Sequence, residues 1–244
     1  MEIARRQLLQ LAATGIPASG AQDLFQPIRE KLSGKEPLTW VFTGDSITHG
    51  ALHTMGWRSY PEHFAERVRW ELRRVRDIVI NTGISGDRMP RLVADAEWRV
   101  YRFRPHIVSL MMGMNDCVAG EAGRETYRTN LERFAQEVRE RNGILLLHTP
   151  NPIVMADASK DSRRDLPAYV EILRQFAAAR AVPLVDHYQH WTETRKDVYH
   201  MHYLLSDGSI HPNQYGHVVF ANLLFTKLGI FDGSGSRTCR LFVP

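Results

Sequence analysis

This sequence predicts a single doubly wound α/β domain on a mainly parallel five-stranded sheet, and two observations carry that prediction. Five short apolar runs, Leu38 to Thr43, Ile78 to Asn81, Ile107 to Met112, Ile144 to His148 and Val182 to Val185, are nearly continuous in Val, Ile, Leu, Met and Phe. A strand that alternates with polar residues buries one face. A continuous one is buried on both, as in a parallel sheet covered by helices. Between the runs lie stretches of helical period, so strand and helix alternate along the chain.

The elements follow in order. Gln22 to Leu32 forms an extra helix before the sheet. Ser59-Tyr60-Pro61-Glu62 has the form of a capping box, and Phe64, Val68 and Leu72 then repeat at helical spacing. A second helix starts at Asp87 or Met89 and runs to Phe103, stopped by Arg104-Pro105. A third spans Arg124 to Arg141, with Leu131, Phe134 and Val138 on one face and Asn142-Gly143 as its stop. Leu166 to Arg180 and Tyr215 to Leu228 give two more. Pro150 to Arg164 and Tyr188 to Ser206 interrupt the rhythm as long loops, the second rich in Trp, Tyr and His; loops of that length in a compact domain are often functional.

Composition narrows the class. Hydrophobic residues make up 43% and charged ones 24%, ordinary for a globular chain of 244 residues. No apolar run approaches the roughly 18 residues of a membrane span, so membrane insertion is not expected. The net charge of +4 is a small surplus, and no basic stripe interleaved with aromatics accompanies it, so nucleic acid is not an expected partner. The arginines at 67, 69, 73, 74 and 76 read as a solvated helix face. Cys117 and Cys239 match no metal or redox spacing. Residues 1–21 stand apart from a domain covering 22–244. Arg5-Arg6, a weak apolar stretch and Ser19-Gly20-Ala21 read either as a twin-arginine-like export signal or as a terminal segment, leaving a cytoplasmic and an exported location both open.

In an open parallel sheet the ligand lies beyond the carboxyl ends of the strands. Ser46, Gly86, Asn115 and Asn151 each fall just after a predicted strand, and His211 joins them if the last helix starts at that edge. A serine hydroxyl becomes a nucleophile when a base takes its proton, and attack on an ester carbonyl needs donors already aimed at the developing oxyanion. Ser46 supplies the nucleophile and His211 the base. The N–H groups of Ser46 and Gly86 and the amide of Asn115 are the candidate donors.

Four blocks carry a resemblance: Gly44-Asp45-Ser46, Asn81-Thr82-Gly83-Ile84-Ser85-Gly86-Asp87, Gly113-Met114-Asn115-Asp116 and Asp207-Gly208-Ser209-Ile210-His211-Pro212. In this order they resemble the SGNH hydrolases, also called the GDSL esterase/lipase family. The resemblance implies a flavodoxin-like three-layer α/β/α sandwich. It also implies Ser46 as nucleophile, Gly86 and Asn115 as oxyanion donors, and His211 as base; no cofactor and no metal are expected. Family members place an aspartate three residues before the histidine, where this chain has Gly208; Asp207 lies four before. Asp207 is read as orienting the imidazole, the alternative being a backbone carbonyl or water. Thr48 stands where a Gly-x-Ser-x-Gly elbow would need glycine, which argues against the α/β-hydrolase fold.

Other residues have two readings each. Asp45 and Asp116 tie turns more readily than they do chemistry. His49 and His53 either line the pocket or sit on the surface. Cys117 reads as a small core residue. Asp186-His187, His190, His200 and His202 invite a metal reading, for example in a metal-dependent phosphoesterase, without a recognised ligand spacing. Trp57, Trp191, Tyr199 and Tyr203 either present flat faces to a sugar or cover the core. The substrate expected is a small-molecule ester, an acetyl-type ester of a carbohydrate or similar alcohol. A longer-chain esterase or lysophospholipase and a non-catalytic binding module are the alternatives.

Overall fold

The computed structural model describes residues 22–155, 161–194 and 198–240, the side chains of 198–200 excepted. The terminal segment 1–21, expected as an export signal or tail, lies outside the described residues. Strands β1 (Thr39–Gly44), β2 (Ile78–Asn81), β3 (Ile107–Met111), β4 (Ile144–His148) and β5 (Leu184–Val185) pair in parallel in the order β2-β1-β3-β4-β5. The register sets Gly44 opposite Met111, Met111 opposite His148, and His148 opposite Val185. The strands β1, β3, β4 and β5 therefore end flush at one edge. The connection reverses direction between β1 and β3, where such sheets open a crevice for a ligand.

Among the described residues ten α-helices accompany them: α1 (Gln26–Ser33), α2 (Ser46–His49), α3 (Tyr60–Ala65), α4 (Met89–Ala94), α5 (Ala96–Arg99), α6 (Gly120–Glu140), α7 (Leu166–Arg180), α8 (His187–Thr194), α9 (Val198–Tyr203) and α10 (Gln214–Lys227). Alternate side chains of β1 decide the layers. Trp40 and Phe42 face α3, where their rings meet Phe64 at 4.7 and 5.0 Å between centroids. Tyr60 and Phe64 in turn touch Phe220 and Phe225 of α10. On the other side α4, α6 and α7 pack in sequence, with Tyr101 against Phe134 and Tyr127 against Tyr169. Rings buried on both faces make this a three-layer α/β/α sandwich, as expected.

Local chemistry explains most boundaries. Ser59 and Glu62 form the capping box that starts α3, the Glu62 carboxylate accepting from Ser59 N–H at 2.6 Å. α7 occupies the expected span, with Ala181 in the left-handed conformation as its stop.

Several expectations are corrected. The helix read from Asp87 or Met89 to Phe103 is broken at Asp95 and Val100 into α4, α5 and a 3₁₀ turn. The breaks flank Arg99, whose guanidinium is drawn inward to Asp87, Thr82 O and Gly44 O. α6 begins at Gly120, four residues before the expected Arg124. Tyr188 to Ser206 is not one loop but contains most of α8 and all of α9. Asp186 accepts from Gln189 N–H at 2.9 Å and so caps α8. Arg67 and Arg74 do not lie on a solvated face: Arg67 is buried against Ile230 O and Glu71, and Arg74, only partly exposed, donates to Asp77 and the carbonyls of Leu32 and Glu36.

Candidate active site

Ser46 is the first residue of α2, directly beyond β1, and only 6% exposed. The turn that presents it depends on its neighbours. A Cβ on Gly44 would stand 2.4 Å from both Met111 O and Thr48 Oγ1, so no side chain fits there. Asp45 accepts from Ile47 N–H at 3.0 Å and caps α2, the turn-tying role expected of it. Burial is the main cause that raises its carboxyl to about 7. Asn81 donates from Nδ2 to Thr48 O at 2.7 Å and accepts from Gly83 N–H at 3.0 Å, fastening α2 to the loop after β2.

His211 reaches Ser46 from the far end of the chain. Its Nε2 lies 2.9 Å from Ser46 Oγ, and its Nδ1 lies 2.5 Å from Asp207 Oδ2. The other oxygen of Asp207 accepts from the N–H groups of Ser209, Ile210 and His211 at 3.0, 2.8 and 3.1 Å. One carboxylate thus shapes the turn and meets the ring, and the turn accommodates the extra residue before His211. Burial pushes the Asp207 carboxyl up, but hydrogen bonds from His211 and the three N–H groups outweigh it and hold it well below the usual range.

Two asparagines fix the histidine segment. Asn213 caps α10 by accepting from Tyr215 and Gly216 N–H, and donates to Tyr203 O at 2.7 Å. Asn151, beyond β4, is fully buried and donates to Ile210 O at 2.9 Å. Asn151 therefore converges on the site edge as expected, with its NH₂ given to the carbonyls of Pro152 and Ile210.

Gly86 has φ of 80°, the left-handed conformation that favours glycine, and a Cβ there would meet nothing within 4 Å. Neither its N–H nor that of Ser46 has a hydrogen-bond partner among the described residues. Asn115 follows β3, is 8% exposed, and donates from Nδ2 to Asp87 O at 3.1 Å. Asp116 beside it accepts from Met89 N–H at 2.8 Å, a structural tie; burial raises its carboxyl to about 6.

The remaining candidates separate cleanly. His53 lies flat on His211, centroids 3.5 Å apart and planes 1° apart, and its Nδ1 meets Ser206 Oγ at 3.3 Å. His49 pairs with Ser85 at 3.1 Å. Cys117 and Trp191 are core residues, and Trp57 and Tyr203 are exposed, Tyr203 stacked on Tyr215. The side chains of Tyr199 and His200 lie outside the described residues. Asp186 pairs with Arg174, and His187 is buried against His148.

Among the described residues one grouping has metal-ligand character: His53, Asp207 and His211, with ligand atoms within 4.8 Å of one another. Face-to-face rings keep their in-plane lone pairs parallel instead of converging, which suits stacking better than coordination. A cavity of about 420 Å³ lies at the opposite edge of the sheet, against Ile144, Leu145, Val182 and Pro183, away from this chemistry.

Comparison with known proteins decides the family. The model of the GDSL-like lipase/acylhydrolase family matches residues 42–219. The chain belongs to this family. Membership places it among the carboxylic ester hydrolases. Within the GDSL-like hydrolases it is 27% identical over 218 residues to an acetylxylan esterase of Geobacillus stearothermophilus, covering 81% of this chain and 96% of that protein. It is 29% identical over 141 residues to an uncharacterized protein of Mycoplasma pneumoniae, 54% of this chain but only 15% of that protein's length. Among solved structures it resembles an arginine mutant of Axe2, an acetyl-xylooligosaccharide esterase from the same Geobacillus species, at a TM-score of 0.68 and 23% identity, over 84% of this chain and 100% of that one. LAE5, described as an α/β hydrolase enzyme from the metagenome of Lake Arreo, Spain, gives a TM-score of 0.65 at 22% identity, over 80% of this chain and 98% of that one. These structural likenesses establish the fold, the SGNH type expected from the four blocks.

Proposed function

We propose that this GDSL-like hydrolase removes small acyl groups, acetyl foremost, from a carbohydrate or similar polar alcohol. The observation that carries the reading is the run of hydrogen bonds from Asp207 through His211 to Ser46 at the ligand edge of the sheet. His211 Nε2 takes the proton of Ser46 Oγ as that oxygen attacks the ester carbonyl. The N–H groups of Ser46 and Gly86 and the amide of Asn115 hold the oxyanion. His211 then protonates the leaving alcohol, and a water activated by the same ring releases the acid.

Support for the acetyl preference comes from the acetylxylan esterase relative, aligned over nearly its whole length. The Axe2 structures include catalytic mutants in which a serine, an aspartate or a histidine is replaced by alanine. The longer-chain reading rests on a different observation: Leu52, Met55 and Trp57 are exposed on the segment that carries His53 against His211.

The test is labelling with a fluorophosphonate probe followed by peptide mass spectrometry, run beside a series of p-nitrophenyl esters. The expected adduct is on Ser46 and is lost in His211→Ala. Absence of an adduct on the folded wild-type protein would sink the mechanism. Rates falling from acetyl to octanoyl support the small-acyl preference, and a steep rise would replace it with the longer-chain reading.

A further inference from the structure

Arg163 stands behind Asn115. Its Nη2 donates to Asn115 Oδ1 at 3.2 Å, and its Nε donates to Met114 O at 3.2 Å. On the other side of the amide, Asn115 Nδ2 donates to Asp87 O at 3.1 Å. A guanidinium has only donors and a carbonyl only accepts. These two neighbours leave one orientation for the amide, oxygen toward Arg163 and nitrogen toward Asp87. The second N–H of Nδ2 is then the group that Asn115 has left for a ligand.

The guanidinium is delivered from a fastened turn. Arg163 N–H donates to Asp161 Oδ1 at 2.7 Å, and its carbonyl accepts from Leu166 N–H at 2.9 Å. Asp165 is held by Arg124 Nε at 2.8 Å. The charge also has a purpose where it stands. Asp45, Asp87 and Asp116 are all buried around the strand ends where an ester oxygen would become negative. Arg163 places a cation on the side of Asn115 that faces away from Asp87.

We propose that Arg163 is a positioning residue of the oxyanion hole: by binding Asn115 Oδ1 it fixes the amide's orientation and strengthens its N–H as a donor. A hydrogen bond from a charged group is about twice as strong as a neutral one and polarises the amide it binds. The inference rests on the reading of Asn115 as an oxyanion donor. Nothing in the local sequence signals it, since the partners are separated by 48 positions.

The experiment is a double-mutant cycle in kcat on p-nitrophenyl acetate, with Arg163→Met, Asn115→Ala and their combination, each checked by thermal melting. Asn115→Ala is expected to lower kcat by about 10²–10³-fold. Arg163→Met is expected to lower it about tenfold with KM within about twofold, the size of one lost charge-assisted hydrogen bond. In the Asn115→Ala background the Arg163 substitution should change kcat by less than about twofold, because the group it positions is gone. The same tenfold loss in both backgrounds would overturn the proposal, as would a wild-type kcat in Arg163→Met. If Arg163→Met does not fold, Arg163→Lys goes through the same cycle: one ammonium cannot replace the two-armed guanidinium, so it should show a loss that vanishes with Asn115. An unchanged kcat in Asn115→Ala, with Ser46→Ala inactive, would instead remove the oxyanion reading of Asn115, and this proposal with it.

Discussion

The two oxygens of Asp207 face different groups, one the turn amides and the other the His211 ring. That division makes Asp207→Asn a clean substitution. The asparagine oxygen can still collect the three N–H groups, so the turn should persist. Its NH₂ cannot accept from His211 Nδ1–H, so the imidazole is driven to the tautomer with its proton on Nε2, where it cannot take one from Ser46. The expected result is a fall in kcat/KM of about 10²–10⁴-fold with little change in melting temperature. A loss below about tenfold would assign the ring to a backbone carbonyl or water. The spacing in the sequence left those two readings open because it counts residues along the chain. What brings Asp207 to the ring is a turn in which three consecutive N–H groups point at one oxygen.

At the scale of elements, the ends of β1 and β2 are joined to α5 by one side chain. Arg99 and Asp87 form an ion pair with both side chains fully buried, and Arg99 also donates to Thr82 O at 2.9 Å and Gly44 O at 3.3 Å. Among the described residues, Arg99→Met would leave the Asp87 carboxylate with the exposed Arg91 at 3.7 Å as its ion-pair partner. Breaking a buried pair from one side destabilises by about 3–5 kcal/mol, and replacing both partners by apolar residues recovers much of it. Urea denaturation of Arg99→Met and of Arg99→Met with Asp87→Leu should give that ordering; equal stabilities of wild type and Arg99→Met would refute it. The same residue explains a limit of sequence reading. Helical periodicity assigns an arginine to the solvent face, so a break caused by one turned inward has no signature. β1, β3 and β4 were legible almost to the residue, because burial on both faces leaves continuous apolar runs; β2 has the same apolar run although it lies half-exposed at the sheet edge, and β5 is only the last two residues of its run. α8 was not legible, since its composition lacks an apolar stripe, although Asp186 three residues before Gln189 was an available capping signal.

For the whole molecule, the parallel order and its reversal between β1 and β3 gather residues from both ends of the chain, and this is why ordered short blocks were informative. The blocks hold Ser46, Gly86, Asn115, Asp207 and His211, the residues of the proposed site, while Arg163, Asn151 and Arg99 make contacts that no local pattern records. The same packing places titratable groups inside the fold, with consequences for pH. His148 bridges Ser109 and His187, each at 2.9 Å, and His217 accepts from Tyr60 N–H at 3.1 Å. Burial lowers His148 and His217 to about 3 and His63 to about 4, and holds His187 well below its ordinary value. A histidine kept neutral by the fold has no effect on stability above its unfolded value of 6.5 and penalises the fold as pH drops below it. Asp45 and Asp116, raised by burial to about 7 and about 6, act the other way, favouring the fold as pH falls toward their unfolded value of 3.8. Four histidines against two carboxyls leave the unfolded chain about two protons ahead, a slope of about 3 kcal/mol per pH unit between about pH 4.5 and 6. Below about pH 4 the carboxyls of the unfolded chain also protonate, but His63 and then His148 and His217 take up protons within the fold, so the two changes nearly cancel and the slope does not steepen. Melting temperature should therefore be nearly flat from about pH 7 to 8 and fall progressively below about 6.5; a melting temperature that holds constant down to about pH 4.5 would mean that these histidines are not held neutral by the fold.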